Sequence, residues 1–594
     1  MQQFFKFVFA SCLGVLLSML VLGFLLIAFA GGAAASFGSK EAVSVKPNSV
    51  LELNFNTALP EKTNNVAQDG FTFEAKDVVG LFDMVEAIEH AKTDDDIKGI
   101  YLDLNGVPGG MVTRSALRDA LLDFKESEKF IVAYSKFYTQ NAYYLASVAD
   151  DISVHPVGGI DFRGFGAQIP FFKNALDKLG VKMEVYYAGQ FKSATEPYRL
   201  TEMSEQNRRQ TREYLEPLYQ AFLNDIGASR DIDPQEVRRI ANEWLLREPQ
   251  DAVTHKLVDR VGYKDEVLDV LREKIGLEED DNVYKINIQD YASSTGINTD
   301  FSVKDKIAVI FAEGTIVMGE DAPGSVADDD YGPMIRKIRK DDKIKAIVLR
   351  VNSPGGSALT SESIWRELSL AMDEGTPVVV SMGDYAASGG YYIACMADKI
   401  FAQPNTITGS IGIFSMIPNA SELLNDKIGV SLDTLNLGKY ASSFNLFHDH
   451  APGEAAILQQ MTENGYEMFL KRVADGREMT RDEVHAIAQG RVWTGEKAKE
   501  LGLVDELGGL DAAISEAKEL AGLETYRVSE YPKVKDQFQQ FVDKLMNPMS
   551  AKAQTKQAIL KEEMGEMYPY YQHFKEMSEM KGPQARMPFL IDIK

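Results

Sequence analysis

A chain of 594 residues is too long for one small module and implies several domains, or one fold used more than once. Hydrophobic residues make up 45% and charged residues 25%, a globular composition that argues against a mostly disordered chain. Asp and Glu outnumber Lys and Arg by 88 to 63, and the net charge of -25 would repel phosphate backbones, so nucleic acid is not an expected partner.

In chain order the first feature is Phe7 to Ala30, an uncharged apolar run long enough to span a bilayer. Lys6 is the only charged side chain before Lys40, so the short leader is expected to stay cytoplasmic and the body to cross the membrane. The length of the run favours an uncleaved signal anchor over a cleaved leader, whose small-residue site would be Ala33-Ala34-Ala35-Ser36. Cys12 within this run and Cys395 further on are the only cysteines, which excludes a disulfide framework and a cysteine-rich zinc site.

Beyond the anchor the chain repeats itself. Ile97-Lys98-Gly99-Ile100-Tyr101-Leu102-Asp103-Leu104-Asn105 matches the stretch from Ile344 to Asn352, and each is followed by Pro-Gly-Gly, at Pro108 to Gly110 and Pro354 to Gly356. Tyr143 to Asp150 matches Tyr391 to Asp398, and Leu257-Val258-Asp259 matches Leu503-Val504-Asp505. The near-constant offset means two copies of one domain. The expected layout is a leader and anchor at 1–30, a juxtamembrane linker at 31–46, copies at 47–295 and 306–535 joined by a linker at 296–305, and a Met-rich tail at 536–594. Strands expected at Ile307 to Phe311, Ala346 to Val351 and Val378 to Val380, with a helix over Ser361 to Met372, alternate as parallel α/β folds do. In the tail, Pro588 to Ile593 reads as an added strand or docking peptide, and the tail as a whole as an extra helix and strand packed on a neighbouring domain or subunit.

Pro377 to Ala394 (PVVVSMGDYAASGGYYIA) reads as a strand, a turn containing Asp384, and a helix opening at Ser388-Gly389-Gly390. A serine at that junction lies near the positive end of the helix dipole, placed like a nucleophile; spacing alone equally allows a simple helix cap. The turn Asn352-Ser353-Pro354-Gly355-Gly356-Ser357 offers backbone N–H groups of the kind an oxyanion hole needs, although such turns are also ordinary connections. The copies differ in a complementary way. Gln140 stands where the second copy has Ser388, and the first copy's Gly189-Gln190-Phe191-Lys192-Ser193-Ala194 puts Lys192 opposite Ala441 of Gly438-Lys439-Tyr440-Ala441-Ser442-Ser443. One site assembled from both copies would show such losses. His155, His448 and His450 read as structural or solvated, and no metal or organic cofactor is expected.

Together the duplication, the NSPGG turn, GDYAASGGYYIA, GQFKSATEPY and the TGSIGIF of Thr408 to Phe414 resemble the signal peptide peptidase A, or protease IV, family of Ser-Lys peptidases. The resemblance implies tandem ClpP/crotonase-like α/β domains, Ser388 as nucleophile, Lys192 as general base, Ser410 as the group that positions the lysine, and Gly389 with Gly355 or Gly356 as oxyanion donors. It further implies a homo-tetramer on the inner membrane, facing the periplasm, that degrades remnant signal peptides and other extended apolar peptides. A lysine base requires burial, because its usual pKa of ~10.4 would leave it protonated at neutral pH. Two other readings of the fold are a non-catalytic peptide-binding scaffold and a coenzyme A enzyme of the crotonase type.

Overall fold

The structure, a computed structural model, describes residues 45–533 apart from 56–57, 67–77, 279–280, 295–301, 320–323, 444 and 451, together with 582–587 and isolated residues elsewhere. The proposed anchor and the segment Pro588 to Ile593 lie outside the described residues but for isolated positions of the anchor; no described helix is long and apolar enough to cross a membrane. The chain divides into two compact units. One comprises Met1–Ser44, Gln68–Lys76 and Lys533–Tyr568 and is described only at isolated residues, whereas the other, Val45–Ala67, Asp77–Pro532 and Pro569–Lys594, carries both repeats.

The first repeat supplies strands β1 (Ser49–Leu53), β2 (Ile97–Asp103), β3 (Phe130–Tyr138), β4 (Asp151–Ile160), β5 (Lys182–Ala188), β6 (Arg260–Val261) and β7 (Lys285–Asn287). The second supplies β8 (Lys306–Glu313), β9 (Thr315–Val317), β10 (Ser325–Ala327), β11 (Ile344–Ser353), β12 (Gly355–Ser357), β13 (Val378–Ala387), β14 (Lys399–Ala402), β15 (Ile407–Gly409), β16 (Ile413–Asn419), β17 (Val492–Thr494), β18 (Glu506–Leu507) and β19 (Arg527–Tyr531). A last strand, β20 (Gln584–Arg586), comes from the tail.

Each repeat builds its own parallel sheet, ordered β6-β4-β3-β2-β1-β7 in the first and β17-β15-β13-β11-β8-β19 in the second, with β14 beside β13 and β18 beside β14. Only β17 enters its sheet antiparallel. The near-continuous apolar runs in the sequence arise because both faces of each sheet are covered. In the second repeat Ala308, Ile310, Ile347, Leu349, Val378 and Val380 point into one core, while Ile307, Val309, Ala346, Val348 and Val379 point to the other side, against Ala513, Ile514 and Ala517 of the helix Leu510–Leu520. The first repeat does the same, with Ile100 and Leu102 on one face and Tyr101 on the other, facing Val267 and Leu271 of the helix Lys264–Ile275. The expected helix appears at Ala358–Asp373; the Ser357 side chain caps it by accepting from Thr360 N, and Ile364, Leu368 and Ala371 bury one stripe.

A third sheet, β10-β9-β12-β20-β16-β5, crosses the repeat boundary. In it β5 of the first repeat pairs antiparallel with β16 of the second over seven residues, Ile413↔Ala188 to Asn419↔Lys182. That pairing brings the segment following Ala188, which contains Lys192, to the second repeat.

Asp384 is not in a turn. Strand β13 continues to Ala387 because its partners on one side hand over along its length, β14 pairing Val379 to Met382 and β15 taking Tyr385 to Ala387, while β11 on the other side pairs to Met382 and again at Ala386. The Asp384 carboxylate accepts from Gly110 N (2.8 Å), Thr113 N (3.0 Å) and Thr113 Oγ1 (2.6 Å). It thereby caps the helix Met111–Lys125 of the other repeat, whose own N-cap residue, Gly110, has no side chain to do so. The first repeat's Pro-Gly-Gly is thus occupied by a structural carboxylate.

Candidate active site

Ser388 sits between β13 and the helix Gly389–Ala394 with φ 57° and ψ -113°, a backbone conformation rarely adopted by a residue with a side chain. Its N–H donates to Gly409 O (2.8 Å), and its side chain makes no capping hydrogen bond, so the helix-cap reading does not describe it. The hydroxyl is fully buried and turns toward the lysine of the other repeat: Lys192 Nζ lies 2.8 Å from Ser388 Oγ. Ser410, another residue at positive φ (49°), completes the cluster, with Nζ 3.0 Å from its carbonyl oxygen and 3.1 Å from its Oγ.

Lys192 is 1% exposed, and burial pushes its pKa well below the usual lysine range. No carboxylate is among the causes that set it. The neighbours fit a neutral amine, whose two N–H groups can donate to the Ser410 oxygens while its lone pair accepts the Ser388 O–H. For a protonated amine the same site would be a buried, unpaired charge.

Sequence reasoning missed the residues that hold the lysine in place. Phe191 N donates to Gln489 O (2.9 Å), and Gln210 Nε2 reaches Phe191 O (3.1 Å) and Ser193 Oγ (2.8 Å). The adjoining Gly490, at φ 78°, packs so closely that an added Cβ would lie 2.6 Å from Lys192 Cβ and 2.7 Å from its Cα. Its only sequence signal was a glycine after the helix Arg481–Ile487. Gly490→Ala is therefore expected to shift the lysine and lower kcat about 100-fold with little change in KM, as steady-state kinetics would measure.

The three candidate oxyanion glycines converge. A Cβ on Gly355 would come within 2.6 Å of Gly389 N, and one on Gly389 within 3.1 Å of Gly356 N. Gly355 N donates to Ser353 Oγ (3.2 Å), which in turn donates to Gly314 O. Gly355 has φ 92°, and β12 is a short strand rather than the bare turn expected from the sequence.

In the first repeat, Gln140 fills the place of the serine with structural bonds, its Oε1 accepting from Arg163 N (2.9 Å) and Gly164 N (2.7 Å). Lys439 lies exposed over the Tyr440 ring, on a segment without regular structure. His450 meets Tyr186 OH (3.0 Å), His448 meets the Ser442 and Asp449 carbonyls, and His155 accepts from Val157 N. Among the described residues no group of three His, Cys, Asp or Glu side chains is arranged to hold a metal ion.

The sequence model of peptidase family S49 matches residues 123–278 and 371–524, one segment in each repeat. A protein named Protease 4 from Salmonella typhi is 41% identical over 460 residues, covering 76% of this chain and 74% of its own; Protease 4 of Haemophilus influenzae is 34% identical, covering 85% and 84%. Among solved structures, a ClpP1 mutant from Listeria monocytogenes matches 35% of this chain and 94% of its own at 14% identity and a TM-score of 0.24. With both repeats matched and relatives this similar aligned along most of its length, the chain belongs to peptidase family S49 and is a serine peptidase.

Proposed function

We propose that the chain is a membrane-anchored endopeptidase in which Ser388 is the nucleophile and Lys192 the general base. The observation that carries this reading is the 2.8 Å approach of Lys192 Nζ to Ser388 Oγ inside a buried site where, among the described residues, no carboxylate pairs with the amine. Neutral Lys192 takes the Ser388 proton as Oγ attacks a peptide carbonyl, then delivers it to the departing amine; water repeats the sequence on the acyl-enzyme. Ser410 holds the amine against the serine through both of its oxygens. Gly389 N–H and Gly356 N–H are the oxyanion donors we favour, since the Gly355 N–H is already committed to Ser353 Oγ.

Extended apolar peptides, among them remnant signal peptides, suit a cleft bordered by strands, where backbone pairing supplies affinity and alternate side chains supply selectivity. An anchor at Phe7 to Ala30 would keep the body on the periplasmic side of the inner membrane, near such fragments, and assembly as a homo-tetramer would restrict entry to short or unfolded chains.

Hydrolysis of a fluorogenic apolar peptide and of a synthetic signal peptide by the full chain in detergent tests the proposal. Ser388→Ala is expected to remove activity toward both. No hydrolysis by the parent would favour a non-catalytic peptide-binding scaffold. With the protein folded throughout, kcat/KM is expected to rise with pH and level off as Lys192 loses its proton; a steady fall between neutral and mildly alkaline pH would contradict a lysine base.

A further inference from the structure

Strand β13 leads directly into Ser388, and the stretch just before the serine is held differently from the rest of the strand. On one edge β14 ends its pairing at Met382 and β15 begins at Tyr385; on the other, β11 shifts register between Met382 and Ala386. Gly383 and Asp384 therefore have no ladder partner on either edge. Side chains take over across this gap. Buried Thr406 Oγ1 donates to Gly383 O (2.9 Å), Asn352 Oδ1 accepts from Tyr385 N (3.1 Å), and both Asp384 oxygens lie on the N-terminus of the helix Met111–Lys125.

That helix belongs to the first repeat, and its first turn carries no acid of its own. Its dipole and three donors, Gly110 N, Thr113 N and Thr113 Oγ1, are answered by the single carboxylate from the second repeat. The fit leaves no room to slide: a Cβ on Gly110 would lie 2.5 Å from Asp384 Cγ, and Asp384 and Thr113 are 6% and 3% exposed. In the repeat alignment Gly110 matches Gly356, the oxyanion donor favoured above, so the same turn binds a fixed anion in one copy and faces the reacting carbonyl in the other. The place of the clamp matters because Ser388 holds a strained conformation, φ 57° and ψ -113°, which persists only when the chain is fixed on both sides. Beyond the serine, Tyr391 OH anchors the helix Gly389–Ala394 on Leu503 O (2.8 Å); before it, the anchor is Asp384.

We infer that Asp384 is a positioning residue for the nucleophile, gripped by the Gly110–Thr113 turn of the first repeat so that Ser388 Oγ stays in line with Lys192 Nζ. The inference rests on the Ser388/Lys192 reading above and adds a second contribution from the repeat that lacks a nucleophile. Lys192 supplies the base, and the helix Met111–Lys125 aligns the serine that the base serves. Asp384 touches neither substrate nor the reacting atoms and acts through the backbone of β13. Its loss therefore lowers the rate of attack and leaves peptide binding unchanged.

The test is a double-mutant cycle on the full chain in detergent, read by steady-state kinetics on a fluorogenic apolar peptide and by the rate of fluorophosphonate labelling at Ser388. Asp384→Ala is expected to lower kcat and the labelling rate about 100-fold with KM unchanged, Asp384→Asn about 10-fold, and Thr113→Val, which removes one bond from the helix side, about 5-fold. Adding Thr113→Val to Asp384→Ala should cost nothing more, because the bond it removes is already gone. Leu117→Ala, a fully buried position on the same helix, should lower the melting temperature and leave kcat at 25 °C unaltered. Should Asp384→Ala fail to fold, Asp384→Asn and Thr113→Val carry the test. Folded variants that keep the parent kcat, a loss confined to KM, effects that multiply in the double variant, or an equal loss of kcat in Leu117→Ala would each overturn the inference. Failure of the Ser388 reading is recognised separately, as peptide hydrolysis that survives Ser388→Ala.

Discussion

Lys192→Ala is expected to lower kcat for peptide hydrolysis by about 10⁴-fold or more, with little change in KM, and the Lys192→Ala/Ser388→Ala double variant is expected to be scarcely worse than either single one. The reason is geometric. Among the described residues Lys192 is the titratable group hydrogen-bonded to Ser388 Oγ, so losing the amine removes both the proton acceptor for attack and the donor for the leaving group. Lys192→Arg should not rescue, because a guanidinium stays charged and cannot act as a base. The same burial fixes a stability effect of opposite sign. Lys192 is protonated in the unfolded chain below pH ~10.4 and has a lowered pKa when folded, so the unfolded state binds the extra proton and folding is opposed throughout neutral pH. Lys192→Met is accordingly expected to raise the melting temperature at pH 7 while activity disappears, and the gain should shrink as pH approaches the unfolded value. Parallel kinetics and thermal melts at several pH values check both.

Glu61→Ala is expected to cost about 3–5 kcal/mol in denaturant unfolding. Its carboxylate pairs with Arg350 at 3.0 Å, both side chains being about 5% exposed or less, and also accepts from Asn352 Nδ2 (2.8 Å). Arg350 adds bonds to Ser381 Oγ (2.9 Å) and Met382 O (3.0 Å), which ties β11 to β13. Removing Glu61 leaves a buried guanidinium short of its partner, whereas Glu61→Leu with Arg350→Met removes both charges and should recover much of the loss. The effect reaches the site because Asn352 Oδ1 accepts from Tyr385 N (3.1 Å) and Asn352 leads into Ser353 and Gly355. Activity of Glu61→Ala should therefore fall at temperatures where the protein is still folded.

Much of the architecture was legible because the signals were local or repeated. The matched copies and their β-branched runs pointed to two parallel sheets, and the strands expected near Ile307, Ala346 and Val378 lie in β8, β11 and β13. The structure also brings together Ser388, Lys192 and Ser410, residues 196 and 218 positions apart along the chain. What stayed hidden depends on non-local pairing. Asp384 read as a turn because no local pattern says that β15 succeeds β14 along that edge of β13, or that its carboxylate caps a helix 271 residues away. The support of the lysine by Gln489 and Gly490 is a close backbone approach, and a lone glycine does not show what it approaches. In the tail, Gln584-Ala585-Arg586 carries no β-branched or aromatic residue, and its pairing with β12 and β16 is a non-local contact that no local pattern announces.

The central claim, one catalytic site made from both repeats, is tested most directly by labelling. The full chain is treated with a fluorophosphonate, which forms a covalent adduct with an activated serine, and the modified residue is located by peptide mass spectrometry in the parent and in Lys192→Ala. The expected result is a single adduct on Ser388 in the parent that is lost when the first repeat's lysine is removed. Labelling at another serine, or equal labelling of Ser388 without Lys192, would contradict the composite site.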